Sequence, residues 1–132
     1  MLDHVSLGVS DLERSRRLYD AALQPLGLVR TLDFANGSDY GAAAGQTGVE
    51  FTITTVADAQ SSAGMHVCFR APSREAVRAF HAAGLENGGR DDGAPGVRPI
   101  YHPDYFGAFL IDPDGHRVEA VCHAPSETAR AT

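Results

Sequence analysis

Residues 105–123, YFGAFLIDPDGHRVEAVCH, decide how this chain folds. Phe106 to Ile111 and Arg117 to Cys122 are short runs of β-forming residues on either side of Asp112-Pro113-Asp114-Gly115. In that tetrapeptide Pro presets φ, Asp hydrogen-bonds its own backbone and Gly permits positive φ, so the stretch predicts a hairpin. Its second strand carries an unexpected residue, Glu119, between Val118 and Ala120. Burying an unpaired carboxylate is costly, so Glu119 requires solvent, a hydrogen-bonding partner or a cation.

Working outward, the same organisation occurs twice. Leu2 to Val9 alternates, with Val5, Leu7 and Val9 on one face and His4, Ser6 and Gly8 on the other, which predicts a strand. Ser10 stands at a capping position with Glu13 three residues on, and a helix is expected from Asp11 to about Gln24, closed by Pro25 and Gly27. Leu28 to Phe34, Tyr40 to Ala44 and Val49 to Thr55 read as three further strands, giving β-α-β-β-β. Residues 57–64 (ADAQSSAG) form a small, polar linker, and then the pattern restarts. Met65 to Arg70 reads as a strand, Ser73 caps a helix from Arg74 to about Leu85, and Gly88 and Gly89 stop it. His4-Val5 matches His66-Val67, Leu18 matches Phe80 and Leu23 matches Leu85, all at one spacing, so the chain contains an internal repeat. Residues 89–99 read as a loop-rich insertion with one short strand before the hairpin closes the second unit.

The expected class is therefore α+β, with two tandem βαβββ modules in one domain over 1–132: module 1 at about 1–56, module 2 at about 64–123, and a short tail at 124–132. A chain of 132 residues buries roughly two-thirds of its unfolded surface, so it needs no disulfide staple. The net charge of -6 argues against nucleic acid or an anionic membrane as partner. Every cationic side chain is Arg; the absence of Lys excludes a Schiff-base lysine and a P-loop. Cys68 and Cys122 lack metal-type spacing and read as reduced, half-buried thiols, which fits a cytoplasmic protein. No apolar run is long enough to span a bilayer, and no signal peptide is evident.

Each unit places a His on its first strand and a Glu on its last: His4 and Glu50, then His66 and Glu119. If the units pair about a pseudo-two-fold axis, these faces line one trough and the four side chains can converge. Imidazole and carboxylate suit a divalent first-row ion, and two His with one or two carboxylates leave positions open for substrate. A single His near a strand start is more often structural, and Glu50 alone is most simply solvent-exposed; the repetition of the pair is what favours ligation by His4, His66 and Glu119, with Glu50 as an optional fourth. Arg70 shares a face with His66 and can meet an anionic substrate group or a surface carboxylate. Tyr101 and Tyr105, at the hairpin entry, can hydrogen-bond a substrate. His102 and His116 can line a pocket mouth or face solvent, His81 falls at a core edge or surface position, and His123 ends the last strand.

With those residues in place, the chain resembles the vicinal oxygen chelate superfamily, which includes glyoxalases, extradiol dioxygenases and bleomycin-resistance proteins. The resemblance is carried by residues 2–28 (LDHVSLGVSDLERSRRLYDAALQPLGL), 66–71 (HVCFRA) and 101–123 (YHPDYFGAFLIDPDGHRVEAVCH). It implies paired modules forming a cup-shaped mixed sheet with helices outside, often in a homodimer. It also implies metal positions at His4, His66, Glu119 and optionally Glu50, holding Zn, Ni, Mn or Fe(II). The implied function is a small metal-dependent enzyme of lyase, isomerase or dioxygenase type, whose ion chelates vicinal oxygens of a small substrate and in which Glu119 or Glu50 can act as base. Arg70, Arg90 and Arg98 are the only basic residues in suitable regions, which makes glutathione thioesters a poor fit. The alternative is a metal-free binding or sequestration protein for an aromatic or planar ligand.

Overall fold

The protein is described by a computed structural model covering residues 1–126, so the part of the expected tail from residue 127 onward lies outside the described residues. Two βαβββ units follow one another. The first holds β1 (Val5–Val9), α1 (Leu12–Leu23), β2 (Leu28–Phe34), β3 (Gly37–Ala42) and β4 (Thr47–Thr55). The second holds β5 (His66–Arg70), α2 (Arg74–Glu86), β6 (Arg90–Val97), β7 (Phe106–Ile111) and β8 (Arg117–Cys122). Each unit forms its own four-stranded mixed sheet, ordered β1-β4-β3-β2 and β5-β8-β7-β6, with β1 parallel to β4 and β5 parallel to β8. The sheets do not close into a barrel.

Alternation sorts the faces. Leu7, Val9, Phe51 and Ile53 in the first unit, and Leu110, Val118 and Ala120 in the second, are buried against the helices in one cluster drawn from both units. Fully burying a large apolar side chain contributes roughly 1.5–3 kcal/mol, so this shared cluster holds the halves together. α1 packs on α2 across the junction, and Phe51 meets Phe69 edge-on at 5.3 Å. The opposite face of each sheet is left open.

The hairpin turn is built as its residues predict. Asp112 Oδ1 accepts from the amides of Asp114 (2.9 Å) and His116 (2.8 Å), and Gly115 adopts φ 89°. The turn also fastens the two units. Tyr19 Oη donates to Asp112 Oδ2 at 2.6 Å, His116 Nε2 lies 2.7 Å from the Gly8 carbonyl, and Ser10 Oγ donates to Asp114 Oδ1 at 2.6 Å.

Several expectations change. Asp11, not Ser10, caps α1: its carboxylate accepts from the Arg14 amide, because Ser10 is engaged by Asp114 across the junction. Asp11 and Ser73 then stand at the same spacing as His4 and His66, so the repeat keeps the cap position and changes its residue. β3 starts at Gly37, three residues earlier than expected, since Gly37 to Asp39 pair with β2 and β4 on both sides. Residues 89–99, expected as a loop-rich insertion with one short strand, instead hold β6, eight residues long; its glycines and Pro95 are accommodated by bulges around Gly93. Leu85 does not repeat the buried Leu23 but is 43% exposed near the end of α2. Cys68 and Cys122 are both free; the first is exposed and the second buried, because they lie on opposite faces of sheet two.

Candidate functional site

The register of β5 against β8 builds the most developed site. His66 lies opposite Arg117 and Cys68 opposite Glu119. Val67, Phe69, Val118 and Ala120 pack toward the core, so His66, Cys68, Arg117 and Glu119 project together from the open face. His66, Arg117, Glu119 and Tyr101 line a cleft of about 570 Å³ whose rim is the Ser61–Gly64 linker. Glu119 is half-buried, and burial is the main cause that raises its pKa above the usual carboxylate range; the neighbouring His66 opposes that shift, Asp92 adds to it and Arg117 opposes it.

The first unit offers a second, separate pair. Val5 lies opposite Phe51, which brings His4, just ahead of β1, alongside Glu50 on β4. Both line a smaller cleft of about 230 Å³ with Leu2, Asp3, Val67 and Cys68. His4 Nδ1 is 2.6 Å from Asp3 Oδ1. Arg70 falls in neither cleft; it shares with Glu50 a third one, of about 420 Å³, walled by Leu26, Leu28, Phe69 and Pro72. Within one chain, then, His66 associates with Glu119 and His4 with Glu50. Among the described residues no three His, Cys, Asp or Glu side chains group closely enough to hold an ion.

Strand register also refines the repeat. Ser6 is the counterpart of Cys68, and Ser6 pairs with Thr52 where Cys68 pairs with Glu119. Thr52 therefore occupies the position equivalent to Glu119, and Glu50 the position equivalent to Arg117. Thr52 is buried and donates to Asp39 Oδ1 at 2.7 Å. The two carboxylates face the same way but stand one pleat apart in their units.

On the same open face, Tyr105 and Cys68 lie close enough for each to perturb the other's ionisation. Burial, then the Glu119 charge, push the Cys68 thiol up to about 11; burial and Cys68 push Tyr105 up to about 12. His102 is not on the cleft wall. Its Nδ1 accepts from the Asp104 amide at 3.0 Å, which leaves the proton on Nε2 to be donated to His123 Nδ1 at 2.8 Å. Tyr101, His102, Tyr105 and His123 form a continuous ring cluster, with centroids 4.7–5.6 Å apart.

Two other histidines are structural. His116 is buried against Gly8, and His81 is buried with Nε2 2.9 Å from Asp91. Both find backbone or carboxylate partners that sequence spacing does not reveal. Sequence reasoning also passed over Cys68, Arg117 and Asp92 as members of the site. Arg117 had a signal: two residues before Glu119 on one strand, it must share its face.

Paired βαβββ units with helices on one face and His/Glu pairs on the open face define a scaffold class, and the comparisons agree with it. Residues 1–120 match the model of the Glyoxalase/Bleomycin resistance protein/Dioxygenase superfamily. The chain belongs to that superfamily. It is similar to a glyoxalase/bleomycin resistance protein from Albidiferax ferrireducens T118, at 36% identity and TM-score 0.80 over 95% of this chain and 99% of that one. It is similar to glyoxalase I from Zea mays at 26% identity and TM-score 0.68, over 92% of this chain and 46% of the maize chain. A glyoxalase-related enzyme from Fulvimarina pelagi shares the fold at 18% identity and TM-score 0.70, over 92% and 87%. Among curated proteins none matches in sequence. No helix among the described residues is long and apolar enough to cross a membrane.

Proposed function

We propose that the protein is a metal-dependent enzyme of the vicinal oxygen chelate type, acting on a small substrate as a homodimer whose two-fold axis brings the His4–Glu50 pair of one chain to the His66–Glu119 pair of the other. The observation that carries this reading is the half-buried Glu119 beside His66 on an open cleft wall, with its pKa raised by burial. A carboxylate held there gains from a cation, and two imidazoles with one or two carboxylates are the donor set of a divalent first-row ion. Each chain offers that set as two halves in separate clefts, and an isologous dimer unites unlike halves twice. The chain's own segregation of the pairs is thus the argument for the second copy.

Bound there, a divalent ion supplies Lewis-acid stabilisation of charge developing on substrate oxygens. Glu119 is suited to take and return a proton, because burial raises its pKa above the usual carboxylate range. Arg117 and Tyr101 orient the substrate from the cleft wall. The ring cluster of Tyr101, His102, Tyr105 and His123 favours one second reading, a metal-free binding protein that stacks a planar ligand there.

Elemental analysis of protein purified without chelator tests the first reading. Wild type is expected to carry one ion per chain, and His4→Ala and His66→Ala none. After subunit exchange between these two variants, about a quarter of the wild-type content returns, since half the dimers regain one intact site. An ion-free wild type, or a His66→Ala variant that keeps its ion, ends the metal reading. Tight binding of an aromatic drug by the ion-free protein then supports the second.

A further inference from the structure

Asp92 and Arg117 form an ion pair across the open face of the second sheet, from β6 over β7 to β8. Arg117 Nη1 lies 3.2 Å from Asp92 Oδ2, and its side chain is 55% exposed against 28% for Asp92. The pair exists because of an irregularity. The register slips between Asp91, opposite Leu110, and Gly93, opposite Phe109, so Asp92 is an extra residue in the strand. Asp91 turns to His81 on the helix side while Asp92 reaches Arg117 on the open side. Bulges of this kind re-aim side chains next to sites.

As a plain surface ion pair this contact contributes little. Its place gives it another use. Arg117 is on the wall of the cleft that His66 and Glu119 line, opposite His66 in the register. Asp92 engages one nitrogen only, although a guanidinium presents two parallel donors to a carboxylate when the approach allows it. Among the described residues Asp92 is the only ion-pair partner of Arg117, so its other donors are free for an anion entering the cleft.

We propose that Arg117 reads the carboxylate of a small monocarboxylic acid, and that Asp92 is the internal competitor this carboxylate displaces. Glu119 and Asp92 both stand close to Arg117, and each repels a second negative charge. The site therefore takes a monoanion in preference to a phosphate or a dicarboxylate. This assignment rests on the proposed function and specifies its substrate class.

The test uses the full chain, titrated by NMR with lactate and with its uncharged analogue lactamide, with and without one equivalent of Zn²⁺. Wild type is expected to prefer lactate by about ten-fold, the step that a charge-assisted bidentate contact provides. Arg117→Gln removes the preference, Arg117→Lys keeps part of it, and Asp92→Asn binds lactate several-fold more tightly because the competitor is gone. A pair that is merely structural gives Asp92→Asn no such gain. Equal binding of lactate and lactamide by wild type, a preference that survives Arg117→Gln, or weaker binding by Asp92→Asn overturns the proposal. Zn²⁺ content measured on the same samples separates the two readings. An Arg117-dependent preference without bound Zn²⁺ sustains this inference while the metal reading fails; bound Zn²⁺ without the preference does the reverse.

Discussion

The hydroxyl of Tyr19, in the middle of α1, donates a 2.6 Å hydrogen bond to Asp112, the residue that opens the β7–β8 turn of the other unit. Both groups are buried, and Asp112 accepts two backbone amides with its other oxygen. Removing the donor leaves part of a buried carboxylate unsatisfied, a loss of about 1.5–3 kcal/mol for a bond to a charged group. Tyr19→Phe is therefore expected to lower the urea midpoint by a corresponding amount without changing the far-ultraviolet circular dichroism. An unchanged midpoint means that this hydrogen bond contributes nothing to holding the two units together.

Glu119 couples stability to pH in a direction opposite to most carboxylates. Burial raises its native pKa above the ordinary 4.5, so ionising it costs more in the folded than in the unfolded chain. The stability it contributes is complete below the unfolded pKa and is lost as pH rises through the native one. In the presence of chelator, Glu119→Gln is expected to melt higher than wild type at pH 7 and at the same temperature near pH 4. Without chelator the same variant is expected to fail to acquire the ion proposed for this site, the trade of stability against function expected of a site residue. Thermal melts at the two pH values decide it; a variant less stable at pH 7 contradicts the assignment of burial as the dominant cause.

Packing around its sulfur and, after it, the same Glu119 charge restrain Cys68. With its thiol raised to about 11, Cys68 is expected to react slowly with a disulfide reagent at pH 8 although the residue is exposed. Taking away the Glu119 charge lowers that pKa and increases the thiolate fraction, so Glu119→Gln should speed modification several-fold. Tyr105→Phe should slow it, because the Tyr105 hydroxyl stabilises the thiolate. Stopped-flow rates for the three proteins give the order directly.

Gly84 gives a test of the packing. In an exposed helix interior Gly→Ala gains about 1 kcal/mol. Here Gly84 is buried on α2, and an added methyl would overlap the side chain of Leu110, itself fully buried on β7. Overpacking of that kind costs about 1–3 kcal/mol, so Gly84→Ala should be destabilising on balance. A raised melting temperature means the helix can shift off the sheet.

Sequence alone determined the local architecture and the direction of side chains. The Asp-Pro-Asp-Gly turn, the existence of both helices, most of the alternating strands and the repeat follow from periods of two and 3.6 residues and from turn chemistry, whereas the cap at Asp11, the start of β3 and the length of β6 do not. Hence His4, Glu50, His66 and Glu119 could be assigned to polar faces before any coordinates. Tertiary structure decided what those faces meet. A period of two fixes a face but not a register, so it could not tell that Thr52 rather than Glu50 is the counterpart of Glu119. Nor could it tell that the pairs His4–Glu50 and His66–Glu119 open on different clefts, or that a bulge aims Asp92 at Arg117. These depend on pairing between strands distant along the chain, where the free energy lies in contacts that no local pattern encodes.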